Sequence, residues 1–336
     1  MDILSMNLID SFGRTIDYLR LSVTDRCNLR CIYCMPPEGV DRITHDEVLR
    51  FEELIRICRV LASLGIGTVR VTGGEPLVRK GVVDFVGELK AVKGIKRVSI
   101  TSNGVLLGKY LQALVSAGLD AVNISLDTID NEKFHRLTKG EGLDNILSSI
   151  DMALELGLEV KINCVPMRGF NEEDIVRLTA LARDKKMAVR FIELMPLGAA
   201  AAIQPLPTSE VASLIEKAFG PLTASPIKPG SGPAVYHTLP GFVGYIGLID
   251  ALSRGFCESC NRLRLTASGI LKPCLSSDIG IDIRWLVRDN ISDKKIEETV
   301  RELVGKKPAR HSFGGTAAGV GEKQDHRKKE MFRIGG

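Results

Sequence analysis

Along the chain, short β-branched runs alternate with longer amphipathic stretches. Six runs read as strands: residues 18–23 (YLRLSV), 68–71 (TVRV), 97–100 (RVSI), 121–125 (AVNIS), 159–165 (EVKINCV) and 188–194 (AVRFIEL). The segments between them carry apolar residues at helical spacing. In residues 46–64, Val48, Leu49, Leu54, Ile55, Cys58, Leu61 and Leu64 keep that period, and Thr44 with Glu47 makes a capping box at the start. Gly65, Gly94 and Gly157 stand where such helices should stop. This regular alternation predicts an α/β fold with a parallel sheet built from βα units. Six units by about residue 220 predict an open, partial TIM barrel, although a doubly wound sheet gives the same string. Polar residues after the strand ends favour the barrel, which gathers such ends at one face: Thr24-Asp25, Thr72-Gly73-Gly74-Glu75, Thr101-Ser102-Asn103, Ser125-Leu126-Asp127, and Glu193 through Met195.

After Pro205 the pattern changes. Pro, Gly and Ser thicken over residues 221–241, which reads as a linker or irregular connection, and a shorter region follows. The expected division is therefore a barrel core over 1–240 and a C-terminal region over 241–336. The tail from Lys306 is Gly-rich and basic (Lys306-Lys307, Arg327-Lys328-Lys329) and reads as mobile until something orders it. With 336 residues, 44% hydrophobic and 26% charged, the chain can bury a sizeable core. A net charge of +4, from 45 basic and 41 acidic residues, does not by itself call for nucleic acid. Residues 1–14 lack an export signal, and the smoothest apolar stretch, 197–203, falls far short of a membrane span. The expectation is a soluble, cytosolic protein, not bound to membrane, whose thiols are reduced.

Eight cysteines are too few for a disulfide-stapled scaffold in so long a chain, but two groups have ligand spacing. Cys27, Cys31 and Cys34 form C-x3-C-x2-C directly after the first strand. Zinc would want a fourth ligand, for which His45 is nearest, whereas an iron–sulfur cluster held by three cysteines keeps one iron open. Cys257, Cys260 and Cys274 form C-x2-C-x13-C in the C-terminal region. A zinc ribbon lacking one cysteine competes there with a second open-site cluster, and His237 and His311 are the only nearby histidines. Cys58 and Cys164 stand alone and read as core residues. Among the cations, Arg20, Arg70 and Lys161 interrupt otherwise apolar strands, and Arg262 and Arg264 project to one side of an extended segment. Each could be an ion pair on its own. Together at one mouth they favour a bound anion such as a nucleoside triphosphate.

The first cysteine group in its setting, Arg20 through Cys34 followed by Gly73-Gly74-Glu75-Pro76, resembles the radical S-adenosylmethionine superfamily. In that family the three cysteines hold a [4Fe–4S] cluster whose open iron chelates the methionyl amine and carboxylate. Its Gly-Gly-Glu-Pro turn receives the methionyl amine. Four further stretches make the likeness more specific: Arg190 through Gly198, Cys257 through Arg264 with its Asn-Arg-Leu-Arg, Pro273-Cys274-Leu275, and the terminal Gly335-Gly336. They are similar to the branch of the superfamily that acts on GTP at the start of molybdenum cofactor biosynthesis, over nearly the whole chain. The resemblance implies two [4Fe–4S] clusters and S-adenosylmethionine as cofactors, and a lyase-type radical cyclisation of GTP. The C-terminal cluster would use its open iron to hold the guanine.

By the same resemblance, Tyr33, Gly73, Gly74, Glu75, Ser125 and Met195 contact S-adenosylmethionine. Arg20, Arg70, Thr101, Lys161, Arg262 and Arg264 contact GTP. Arg20, Arg262, Arg264, Gly335 and Gly336 belong to the catalytic set, the glycine pair reaching into the pocket from a terminus that would otherwise read as frayed. Implied partners are an electron donor, cyclic pyranopterin monophosphate synthase as recipient of the product, and a second copy of the chain in a homodimer. Residues 198–207 (GAAAAIQPLP) and 249–256 (IDALSRGF) depart from the family pattern. The alternative within the superfamily is an enzyme acting on peptide or RNA, which would have no use for a triphosphate clamp. A zinc-stabilised nucleic-acid binder is disfavoured by balanced charge and 5% aromatic content.

Overall fold

The computed structural model describes residues 7–36, 43–253 and 255–313. Gly335, Gly336 and the basic run 327–329 lie outside the described residues. A small antiparallel pair, β1 (Leu8–Ile9) and β2 (Thr15–Ile16), precedes the main sheet. All six expected strands are present: β3 (Tyr18–Ser22), β4 (Thr68–Thr72), β5 (Arg97–Ser102), β6 (Ala121–Ser125), β7 (Glu159–Cys164) and β8 (Ala188–Ile192). They lie side by side in chain order, every neighbour parallel. Beyond β8, the antiparallel strands β9 (Thr223–Ala224), β10 (Val235–Thr238) and β11 (Tyr245–Ile249) continue the sheet, β11 running parallel to β8. On the opposite flank β12 (Arg262–Leu265) runs parallel to β3, followed by β13 (Ile270–Lys272) and β14 (Ile281–Asp282). The sheet starts at β14 and ends at β9 without closing, so the architecture is a partial barrel.

Helices α1 (Phe51–Ser63), α2 (Val82–Lys90), α3 (Leu107–Ser116), α4 (Asn131–Thr138), α5 (Leu143–Glu155) and α6 (Asp174–Ala180) fill the crossovers, α7 (Thr208–Phe219) follows β8, and α8 (Ile283–Arg288) and α9 (Asp293–Gly305) end the described chain. Residues alternate strictly along each strand. Leu19 and Leu21, Val69 and Val71, Val98 and Ile100, Val122 and Ile124, Val160 and Ile162, and Leu263 and Leu265 join one core with the apolar faces of the helices. Burying each such side chain contributes about 1.5–3 kcal/mol. Their neighbours, among them Arg20, Arg70, Asn123, Lys161 and Arg190, therefore face the other side. Parallel strands buried on both faces are usually apolar throughout. Here the period of two marks an inner face built for something polar.

Two local expectations need correction. The helix expected over 46–64 is interrupted: Thr44 and Glu47 cap only a 3-10 turn, His45–Glu47, and α1 begins after Arg50. A second reciprocal contact, Arg50 N–H to Glu53 Oε2 at 2.7 Å, starts the true helix. The basic tail is also ordered where it begins. Lys307 is 2% exposed, held against the C-terminal cysteine region.

Candidate active site

At the C-terminal mouth of the strands, the loop after β3 carries Cys27, Cys31 and Cys34, all half-buried and unbridged. This loop continues the parallel ladder: Gly74 N–H donates to Thr24 O at 2.8 Å and Glu75 N–H to Arg26 O at 2.8 Å. Contact is so close that a Cβ on Gly74 would lie 2.4 Å from the Arg26 carbonyl oxygen, and one on Gly73 would lie 2.7 Å from that of Thr24. The Glu75 side chain turns inward and is fully buried. Its carboxylate accepts from Leu77 N–H (3.0 Å), Ser102 Oγ (3.0 Å) and Asn103 N–H (2.7 Å). Burial pushes its carboxyl up to about 7 against the pull of these donors. Asn103 in turn reaches Cys27 Sγ at 3.8 Å.

Tyr33 donates its hydroxyl to Asp127 Oδ2 at 2.8 Å, which ties the cysteine loop to the end of β6 two residues beyond Ser125. Burial raises the Asp127 carboxyl to about 6. Within the alanine-rich stretch, Ala200 is buried with Leu137, Met167 and Leu194 in a cluster that also takes in Tyr33. Met195 packs with Leu197, Leu275 and Phe313, bridging this mouth to the segment after Cys274. Burial, followed by the charges of Cys34, Asp127 and Cys27, pushes the Cys31 thiol up. Three soft thiols on one loop, none of them in a disulfide, fit a cluster with an open iron.

Deeper in, three arginines stand in register across adjacent parallel strands: Arg264 on β12, Arg20 on β3 and Arg70 on β4. Burial and then the neighbouring guanidiniums Arg264 and Arg70 hold Arg20 well below its ordinary value, and burial with Arg262 brings Arg264 to about 10. Lys161 pairs with Glu159, whose other oxygen takes Arg97 at 2.5 Å. Burial, with Arg190, Arg70 and Arg97, nevertheless lowers the Lys161 ammonium to about 6. Arg70 Nε and Thr101 Oγ1 are buried without a hydrogen-bond partner. A buried donor without a partner is costly, so both point to a missing ligand. Tyr18, Ser99, Asn123 and the turn at 229–232 line the same chamber.

Cys257, Cys260 and Cys274 lie at the opposite end. Because β12 runs parallel to β3, Cys260 precedes the strand whose neighbour Cys27 follows. At the usual rise, the five residues of β3 alone separate the two groups by about 16 Å along the strands. Burial raises the Cys257 thiol, with the charges of Cys274 and Cys260 adding to it. For Cys260 burial is outweighed by Arg262 and Lys307, which bring the thiol down to about 7. Arg262 itself stacks on Phe256 with its guanidinium carbon 4.5 Å from the ring centre. Among the described residues no three His, Cys, Asp or Glu side chains converge closely enough to hold a single metal ion.

The structure thus gathers Arg20, Arg70, Thr101, Lys161, Arg262 and Arg264 between the two thiol groups. Cys58 and Cys164 are wholly buried core residues. Sequence reasoning missed Arg190, whose Nε and terminal nitrogen donate to Asn163 (2.9 Å) and Asn123 (2.7 Å), and also Arg97, Glu159 and Lys307. The strand alternation carried the signal for the first three. The stretch read as a linker supplies a wall of the chamber: a Cβ on Gly230 would lie 3.1 Å from Lys161 Nζ.

Comparison with known proteins yields two family matches, the radical SAM superfamily over residues 21–182 and Molybdenum Cofactor Synthesis C over residues 187–313. The GTP 3',8-cyclase of Clostridium perfringens is 41% identical over 327 residues, covering 97% of this chain and 99% of that protein. That of Heliobacterium modesticaldum is 44% identical over 333 residues, covering 98% and 100%. Among solved structures, Streptococcus suis SuiB bound to S-adenosylmethionine matches with a TM-score of 0.59 at 15% identity, covering 86% of this chain and 69% of that one. This last likeness concerns the fold.

Proposed function

The chain belongs to the GTP 3',8-cyclase family of radical S-adenosylmethionine enzymes, and from that premise we propose how its residues divide the work. The activity is conversion of GTP to (8S)-3',8-cyclo-7,8-dihydroguanosine 5'-triphosphate in molybdenum cofactor biosynthesis, with S-adenosylmethionine and two [4Fe–4S] clusters as cofactors. When bound, the N-terminal cluster with S-adenosylmethionine would supply the 5'-deoxyadenosyl radical chemistry that this cyclisation of GTP needs. Cys27, Cys31 and Cys34 hold that cluster, within the core 1–240. Cys257, Cys260 and Cys274, in the region 241–336, would hold the second, whose open iron would supply a site for the guanine.

Gly73, Gly74, Tyr33, Ser125 and Met195 form the S-adenosylmethionine side of the chamber. Glu75 fixes the turn by its three inward hydrogen bonds and keeps Asn103 beside Cys27. Arg20, Arg70, Thr101, Lys161, Arg262 and Arg264 hold GTP, with Arg190 braced by Asn123 and Asn163. Their task is positioning, because a primary alkyl radical takes whichever hydrogen is nearest. Cations buried together are strained until a polyanion joins them, and a triphosphate supplies the matching charge. The terminal Gly335-Gly336 is assigned to the same pocket. We place the enzyme among the lyases, as a cytosolic homodimer fed by an electron donor and passing its product to cyclic pyranopterin monophosphate synthase.

One observation carries the substrate assignment. The rank Arg264–Arg20–Arg70, with the unpartnered Arg70 Nε and Thr101 Oγ1, lies between two thiol trios. Anaerobic incubation of the reconstituted protein with S-adenosylmethionine, a reductant and each nucleoside triphosphate tests it. The expected result is a cyclised product from GTP alone. Formation of 5'-deoxyadenosine without any GTP-derived product would sink the assignment.

A further inference from the structure

Lys307 lies just past the end of α9, and its ammonium is buried. It donates to two backbone carbonyls: Arg262 O at 2.8 Å and Pro273 O at 2.5 Å. The first belongs to the segment that leaves Cys260, the second to the residue before Cys274. Those two cysteines have thirteen residues between them in the chain and are brought together by the antiparallel pair β12–β13. Lys307 thus pins the open end of that hairpin, where the ladder itself no longer holds the strands.

Arg14 does the same for the third cysteine. Its guanidinium donates to Cys257 O at 2.6 Å and, in the same fork, to Pro308 O (2.7 Å) and Ala309 O (3.0 Å). Asp10 fixes the guanidinium from behind at 2.5 Å. Segment 307–309 is therefore joined to all three cysteine-bearing stretches, twice through Lys307 and once through Arg14. Among the described residues Lys307 makes no ion pair with a carboxylate. Both of its acceptors are neutral carbonyls, one two residues past Cys260 and the other directly before Cys274. A buried cation with only neutral acceptors keeps its charge uncompensated, which is stable only beside an anion. Three thiolates loaded with iron are that anion.

We propose that Lys307 and Arg14 form a cationic clasp that closes the three cysteine segments of the C-terminal centre and sets the reduction potential of the cluster they hold. Both are positioning residues acting through the cysteine loops. The inference rests on assigning a cluster to Cys257, Cys260 and Cys274. It also gives segment 307–309 a fixed place from which the following tail departs.

The test uses the full-length chain in which Cys27, Cys31 and Cys34 are all alanine, so that only the C-terminal centre can hold iron. After anaerobic reconstitution, iron, acid-labile sulfide and the midpoint potential are measured. If this parent holds no cluster, the cysteine assignment fails, and the clasp with it. If it holds one, adding Lys307→Met should remove most of the iron or leave a cluster with a more negative potential, since loss of a nearby cation disfavours the reduced, more negative state. Lys307→Arg should restore iron content. Arg14→Gln, which frees the Cys257 carbonyl, should give the same selective loss and decides the matter if circular dichroism shows that Lys307→Met does not fold. Full iron at an unchanged potential in the folded variants would overturn the clasp.

Discussion

At Glu75, burial and hydrogen bonding compete over one carboxyl. Three donors converge on its carboxylate, yet burial prevails and raises the group to about 7. A carboxyl raised in the folded state stabilises the fold while protonated in full below its unfolded value, and that contribution is lost as pH rises through the folded value. Between about pH 4.5 and 7 the cluster-free protein should therefore lose about 3 kcal/mol of stability from this group. Glu75→Gln removes that dependence at the expense of one acceptor, since its amide nitrogen meets a donor. Urea unfolding of both proteins at pH 5 and pH 8 should show the parent's advantage shrinking by roughly that amount. An unchanged difference would mean that the hydrogen bonds, not burial, govern the ionisation.

At the scale of elements, the coupling of β3 to β4 beyond their strand ends determines where the first cysteine loop can sit. A methyl group on Gly74 would lie 2.4 Å from the Arg26 carbonyl, with backbone on both sides, so the loop must move. Gly74→Ala is expected to halve the iron bound after reconstitution, with the C-terminal centre retained and S-adenosylmethionine cleavage abolished. Iron analysis and assay of 5'-deoxyadenosine check this, and full cleavage activity would refute the close-approach argument. The strands, their order and the cysteine loop were all legible, because β-branched runs and ligand spacing are local signals. Strand β11, and the places of β11 and β12 in the sheet, were not. Their pairing with β8 and β3 is a long-range contact that no local pattern carries. The broken start of α1 escaped notice because Glu47 and Glu53 each offer a capping partner at the right spacing. Lys307 was read with the basic run that follows it, although burial depends on the carbonyls it meets rather than on its neighbours in sequence.

For the whole molecule, a small net charge conceals a strongly positive interior. Arg264, Arg20 and Arg70 occupy neighbouring strands about 4.8 Å apart, with Lys161, Arg97 and Arg190 farther round and Glu159 as the acid paired to two of them. Such an arrangement sets stability against function, since the ligand-free barrel bears a repulsion that a bound polyanion relieves. Replacing the central member by an apolar chain of similar length, Arg20→Met, should accordingly raise the thermal midpoint of the ligand-free protein, by the equivalent of about 1–2 kcal/mol. The parent should be stabilised by GTP and the variant much less, because mass action follows affinity. Raising ionic strength should narrow the gap between the two ligand-free proteins only slightly, as buried charges are poorly screened, while weakening GTP capture by the parent. Differential scanning fluorimetry with and without GTP, at low and high salt, measures all of these quantities together. If Arg20→Met melts lower than the parent, the arginine is held by bonds that outweigh the repulsion, and the conflict between an empty and a filled barrel is not where the molecule stores its strain.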